Sequence, residues 1–296
     1  MIETLEGWLE IMLDKLKYIS STGKTIEFGY QGSNIILNTN EARNYEWTYN
    51  TKFKRITNFE RQIKTFSLPL LIYGGSEKLI ANQIFEIIEE DVLLGRYGQL
   101  YTDTGYYMKG FFNASAKPQY TANGFLNLEL KFVSDKPYWI KEYRYEHRPN
   151  TEQQGGIGLD YAINPEDADP QVANYDYPYE YYMNANTISV IENNTISAQN
   201  ARFIIYGFCS NPRLILGENT YAVNVDVEAG ESLVIDTMDK TIEKYTARGT
   251  ILNVFADRDP QWYIFAKVPQ GENAFQISPQ TNVDIIIMEE RSEPSW

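Results

Sequence analysis

Along the start of the chain Ile2, Leu5, Trp8, Leu9, Met12, Leu13 and Leu16 recur at spacings of three and four, with Glu3, Glu6 and Glu10 between them. That stripe predicts an amphipathic helix over 1–20, covering a core or a neighbouring subunit. Its acidic polar face argues against a membrane-surface helix. After Gly23 the period shortens towards two, and Thr25–Tyr30, Ile35–Leu37 and Tyr45–Tyr49 read as strands. Phe59–Leu71 alternates in part, with Ile63, Phe66 and Leu68 apolar ahead of Pro69. Gly74-Gly75 ends that run and Ser76 is a candidate N-cap. Leu79, Ile80, Ile84, Ile87 and Ile88 then mark a second amphipathic helix from Ser76 to Glu90, punctuated by Gly95 and Gly98. Leu100–Thr102 and Tyr106–Asn113 flank Asp103-Thr104-Gly105 as a hairpin. Phe125–Val133 alternates cleanly and is closed by Asp135-Lys136-Pro137.

From Tyr143 to about Tyr179 the periodic apolar face disappears, and Pro149, Gly155-Gly156, Gly158, Pro165, Pro170 and Pro178 intervene. This stretch reads as a linker or long loop. A second series of strands follows: Thr187–Glu192, Ala201–Phe208, Arg213–Leu216, Tyr221–Val227, Ser232–Asp236, Thr241–Tyr245, Trp262–Ala266 and Val283–Met288. Short strands at this spacing make a β-sandwich. The expected division is an N-terminal domain at 1–142, a linker at 143–178 and a C-terminal sandwich at 179–296.

Composition narrows the chemistry. Among 296 residues, 26 Lys and Arg stand against 40 Asp and Glu, a net charge of −14. Such a chain repels nucleic acid and anionic membrane, whose affinities come from cationic side chains. One Cys and one His cannot assemble a Cys/His zinc set, an internal disulfide or a two-histidine mechanism. The N-terminus lacks the positive region of a secretion signal, so the expectation is a chain made and kept in the cytosol until released. No apolar run reaches the length of a membrane-spanning helix.

The motifs that remain are weak. Gly23-Lys24-Thr25 resembles the end of a phosphate loop but lacks the upstream Gly and the strand–loop–helix order, so a turn is the reading. Gly155-Gly156-Ile157-Gly158 has no such frame either. Glu89-Glu90-Asp91, Asp257-Arg258-Asp259 and Glu166-Asp167-Ala168-Asp169 are acid clusters of a kind that an acidic chain holds by chance. His147 reads as a surface histidine without a nearby nucleophile, and Cys209 as a core or edge thiol. Asn113-Ala114-Ser115 and Asn193-Asn194-Thr195 fit a glycosylation sequon that a cytosolic chain does not use. No catalytic residue, cofactor or metal ligand is expected.

Two stretches carry a family resemblance. Glu90–Tyr101, Gly105–Phe111 and Leu128–Ile140, the last ending in Pro137-Tyr138-Trp139, form one. Asn211–Tyr221, Ala229–Asp236 and the closing Glu289–Pro294 form the other. In order and spacing they resemble the siphophage tail family, the distal tail proteins of long-tailed phages and tail-like particles. The resemblance implies a mainly β fold with two or three helices: an N-terminal split β-barrel-like ring domain and a C-terminal galectin-like β-sandwich. It implies a non-enzymatic virion protein at the tail tip, assembled in the bacterial cytoplasm as a homo-hexameric ring. In such a ring the N-terminal domains close around the tube and the C-terminal domains project outward. The implied partners are the tail tube protein, a baseplate hub protein and receptor-binding proteins, with DNA passing through the ring unheld. The 1–20 helix is an addition to the family pattern.

Ring contacts are expected at the helix face bearing Ile80, Ile84 and Ile87, and at the hairpin through Tyr106 and Tyr107, because strand edges invite pairing with another chain. A second reading is a cell-wall saccharide-binding module. It would present exposed aromatics beside a groove; Trp262-Tyr263 is the one obvious pair, and core packing is its expected use.

Overall fold

The computed structural model describes residues 15–38, 41–117, 120–121, 124–149, 190–278 and 281–295, with 120 and 121 as backbone only. The stripe from Ile2 to Leu13, the Gly155 cluster and the Glu166 cluster lie outside the described residues. The chain divides into two compact units. Unit 1 comprises Met1–Glu142 and Glu289–Trp296, and unit 2 comprises Tyr143–Met288.

Unit 1 opens with β1 (Leu16–Ile19), β2 (Thr25–Phe28) and β3 (Ile35–Leu37). Leu16–Ile19 is therefore strand and not the end of a helix. Its alternation puts Leu16 and Tyr18 inside, and it pairs with β2 throughout its length. Next come β4 (Thr48–Lys52), β5 (Arg55–Glu60) and β6 (Lys64–Tyr73). β6 runs straight through Pro69. The proline carbonyl accepts from Asn38 N at 3.0 Å, so its missing N–H faces the same side, one residue past the last β3 rung, Leu37–Leu70, and not the β10 ladder on the other side.

Helix α1 (Glu77–Leu94) follows, its C-terminal end four residues beyond the Glu90 that its apolar pattern suggested. Ala81, Ile84, Ile88 and Asp91 make its buried stripe, at helical spacing. Ser76 holds the N-cap position without a side-chain cap; Glu77 Oε1 instead accepts from Gly75 N at 2.6 Å. Gly95 ends the helix in the left-handed conformation, φ 61°, and donates back to helix carbonyls. The remaining strands of unit 1 are β7 (Gly98–Thr102), β8 (Tyr107–Ala116), β9 (Tyr120–Thr121), β10 (Phe125–Ser134) and β11 (Trp139–His147), whose last residues pass into unit 2. β8 changes sheets midway. Its residues 107–110 pair with β7, and 111–116 pair with β10 across a bulge. β2 and β3 end their ladders, so the two sheets do not close into a barrel.

Unit 2 is an antiparallel sandwich. Its strands are β12 (Val190–Asn193), β13 (Asn200–Tyr206), β14 (Cys209–Ser210), β15 (Arg213–Leu216), β16 (Asn219–Ala222), β17 (Asp226–Val227), β18 (Ser232–Asp236), β19 (Thr241–Tyr245), β20 (Ile251–Asn253), β21 (Gly271–Ile277) and β22 (Asn282–Arg291). One layer orders β22-β13-β18-β19-β20 and the other β12-β21-β15-β16. Inward residues of the two layers meet in one core; Phe203 of β13 and Tyr221 of β16 stand 4.3 Å apart. The expected strand Trp262–Ala266 is absent. Those residues form turns, while β21 supplies the missing rung from a sequence, GENAFQI, that starts on glycine and polar residues. Tyr143–His147, read from sequence as linker, is strand. The last eight residues of the chain belong to unit 1, not to the sandwich.

Candidate assembly surface

β4 and β5 pair only with each other, and all eleven of their residues are exposed. A two-stranded ribbon with no buried face is marginal in water by itself. Six residues of strand reach about 20 Å. The turn is Phe53-Lys54, both in the left-handed region with φ 51° and 62°. Two-residue hairpin turns of this hand favour Asn-Gly, and a bulky residue there carries backbone strain. Phe53 is nevertheless 88% exposed at the tip. Lys52, Lys54 and Arg55 surround it, a cationic end on an acidic protein. Tyr45, Tyr49, Ile56, Phe59 and Ile63 add exposed apolar surface along the arm and its base.

A cleft of 590 Å³ lies between α1 and the two edge strands β2 and β3. Ile26, Ile35, Ile80, Ile84 and Ile87 line it, and Glu27 and Glu86 rim it. The structure thus brings together the three isoleucines singled out on the helix. Ile84 is buried, and Ile80 and Ile87 pack against the core while still facing the cleft. Lys24 at the same rim is held by Glu90 at 2.8 Å.

Tyr106 and Tyr107 are placed differently. Both are buried within unit 1; Tyr106 donates to Glu289 at 2.9 Å and Tyr107 to Glu142 at 2.7 Å. Neither has a free face to offer a neighbour. The partners sit 183 and 35 residues away, so no local pattern could announce them.

The acid clusters resolve into structure. Asp91 is fully buried and accepts from Tyr18 Oη at 2.6 Å, Ser21 N at 2.8 Å and Ser21 Oγ at 2.6 Å. It ties the end of α1 to the β1–β2 turn, and burial beside it pushes the Tyr18 phenol far up. Asp257 and Asp259 belong to a surface loop. His147 is buried, not exposed: its ring packs edge-on against Phe275 at 5.1 Å. Burial, then the neighbouring Arg148, lowers its pKa. The Cys209 thiol is buried and pushed up by that burial. Asn193 spends its amide on the Ser197, Val268 and Pro269 carbonyls, leaving nothing for a glycan. Trp262 and Tyr263 are exposed, contrary to the expected core role. No group of three or more His, Cys, Asp or Glu side chains that could hold a metal occurs among the described residues. No helix among them is long and apolar enough to cross a membrane.

These features define a two-unit, mainly β protein with one α-helix among the described residues, a solvent-exposed two-stranded arm in one unit and a β-sandwich in the other. No family model matches the sequence, and no curated protein matches it. Solved structures do match in fold. A chain of the phage P2 baseplate in its activated conformation with calcium superposes with a TM-score of 0.63 at 14% identity, covering 96% of this chain and all of that one. The same baseplate with strontium gives 0.61 at 13%, covering 95% of this chain and all of that one. The SPP1 Dit protein, a paradigm of hub adsorption apparatus in phages infecting Gram-positive bacteria, gives 0.52 at 10%, covering 93% of this chain and 98% of that one. The fold expected from the resemblance to distal tail proteins is therefore the fold this chain has.

Proposed function

We propose that this protein is a structural component of a phage tail tip, a distal tail protein that assembles as a homo-hexameric ring and has no enzymatic activity. The observation that carries the assembly reading is the β4–β5 arm. A strained turn holds Phe53 in solvent between three cations, an arrangement that gains nothing in a lone subunit and suits insertion into a neighbour. The α1 cleft is its complement: apolar inside, with Glu27 and Glu86 at the rim. An arm from each subunit seated in the next subunit's cleft is a heterologous contact, the kind that closes a ring. The count of six comes from the family resemblance. Whole-length likeness in fold to baseplate and hub proteins supports the location at the virion tail tip. The neighbours in this reading are the tail tube protein, a baseplate hub protein and receptor-binding proteins, with assembly in the bacterial cytoplasm.

Light scattering on the purified chain tests this. A concentration-dependent hexamer is expected, and the triple variant Lys52→Glu, Lys54→Glu, Arg55→Glu should be monomeric with an unchanged circular dichroism spectrum. Only monomer at high concentration, with no assembly on adding a tail tube protein, overturns the ring.

A further inference from the structure

The loop from Phe255 to Phe265 in unit 2 exposes aromatic surface that its own packing does not use. Phe255 stacks on buried Phe265 with centroids 5.9 Å and planes 13° apart, and Tyr263 meets Phe265 edge-on at 6.2 Å. Phe255, Trp262 and Tyr263 stay 38%, 39% and 66% exposed. With Lys240, Arg258 and Ile264 they line an open cavity of 470 Å³, and no acidic side chain lines it.

The loop has no regular strand, yet it is pinned to the sandwich. Asn224 N donates to Asp257 O at 2.7 Å, Asp259 N to Ala222 O at 3.0 Å, and Tyr221 Oη to Ala266 O at 2.9 Å. Its aromatic faces are therefore fixed in place before any ligand arrives, which lowers the ordering cost of binding. The Arg258 guanidinium lies 4.2 Å from the Phe255 centroid with Nη1 donating to Phe255 O, and Arg213 lies 5.6 Å from the Trp262 centroid. Neither arginine, nor Lys240, has a carboxylate partner among the described residues. Lys240 and Arg258 are the charged residues of the lining, Arg213 stands beside Trp262 outside it, and the neighbouring Asp239, Asp257 and Asp259 do not line it, so the lining itself is cationic over an aromatic floor.

We propose that this cavity binds an acidic polysaccharide. The apolar C–H face of a sugar ring lies against Trp262 or Tyr263, where the negative face of the aromatic quadrupole attracts it. The sugar's carboxylate or phosphate meets Lys240 and Arg258 in charge-assisted hydrogen bonds. The site is a small concavity with convergent polar groups, not the broad flat patch of a stable protein interface, and it takes one or two sugar units. The inference does not depend on the ring.

Titration calorimetry on the full chain tests it with three oligosaccharides of equal length: polygalacturonate, a phosphomannan fragment and neutral dextran. At least one acidic oligomer should bind ten-fold or more tighter than dextran, with affinity falling as salt rises; whichever is preferred names the acidic group. Trp262→Ala and the pair Lys240→Gln, Arg258→Gln should each weaken binding at least ten-fold at an unchanged unfolding midpoint. The arm variant Lys52→Glu, Lys54→Glu, Arg55→Glu should bind as the wild type does, separating this site from assembly. The proposal is overturned if neither acidic oligomer binds, if dextran binds equally, or if Trp262→Ala changes nothing. It is equally overturned if Trp262 is shielded from a soluble quencher by a tail protein and by none of the oligosaccharides.

Discussion

Single side chains far apart in sequence decide much of the stability. Asp91 is the clearest case, a buried carboxylate whose acceptor capacity is filled by Tyr18 and Ser21. Tyr18→Phe removes one donor and should lower stability by about 1.5 kcal/mol in chemical denaturation, while Asp91→Ala orphans buried donors and should cost about 3 kcal/mol. Gly98 guards the same knot: a Cβ there would stand 2.0 Å from Tyr18 Oη, so Gly98→Ala must displace the tyrosine. His147 supplies a pH effect. Its folded-state pKa is below the ordinary 6.5, so the unfolded chain takes up a proton first as pH falls. Stability from this residue is complete above pH about 6.5 and declines as pH drops through the lowered folded value. Thermal unfolding between pH 7.5 and 5 should show that slope, and His147→Asn should flatten it. The sequence offered no sign of these roles: His147 stands between Glu146 and Arg148, a setting that reads as surface, and the ring that covers it is 128 positions later.

Among elements, legibility followed local pattern. Ile35–Leu37, Arg213–Leu216, Ser232–Asp236 and Thr241–Tyr245 have the bounds that the sequence indicated, because alternation and flanking turn residues fix both ends. Trp262–Ala266 failed for the converse reason: Trp262 and Tyr263 are surface residues of a pinned loop, while Ile264 and Phe265 are buried from that loop without forming a strand. β21 was invisible because its alternation is masked: Glu272, Ala274 and Gln276 face solvent, Asn273 is a polar residue on the buried face, and Gly271 opens the strand. The arm was legible as strand near Tyr45–Tyr49 and Phe59, but its total exposure is a tertiary fact. That exposure makes a clean experiment. Replacing 48–60 with a short Gly-Asn turn removes no core residue, so the unfolding midpoint should hold while the hexamer is lost. If the arm's partner is the α1 cleft, Glu27→Lys with Glu86→Lys should abolish assembly of the wild type, and mixing it with the Lys52→Glu, Lys54→Glu, Arg55→Glu arm variant should restore it. Tyr106→Glu or Tyr107→Glu, by contrast, should unfold unit 1 by burying an unpaired charge, not merely separate subunits.

For the whole molecule, the boundary of the sandwich matters most. Asp284 is fully buried in unit 2 and is met by the Arg144 and Arg148 guanidiniums and by Tyr206 Oη at 2.7 Å. Burial raises its pKa and these three partners, which win, lower it. A fragment spanning 143–288 keeps every one of them and should fold alone. A fragment spanning 179–296 leaves Asp284 without its arginines and should be less stable by about 3–5 kcal/mol, as urea titration of the two will show. The chain's return to unit 1 through Glu289–Trp296 has a further result for how the protein responds to cleavage. A single peptide-bond cut anywhere in 150–189 releases no domain. The front piece carries Arg144, Arg148 and Tyr106, and the back piece carries Asp284 and Glu289, so each half is stitched to the other in both units. Such a nicked molecule should run as two bands in detergent and as one particle in buffer, a protein whose covalent halves and folded halves are different objects.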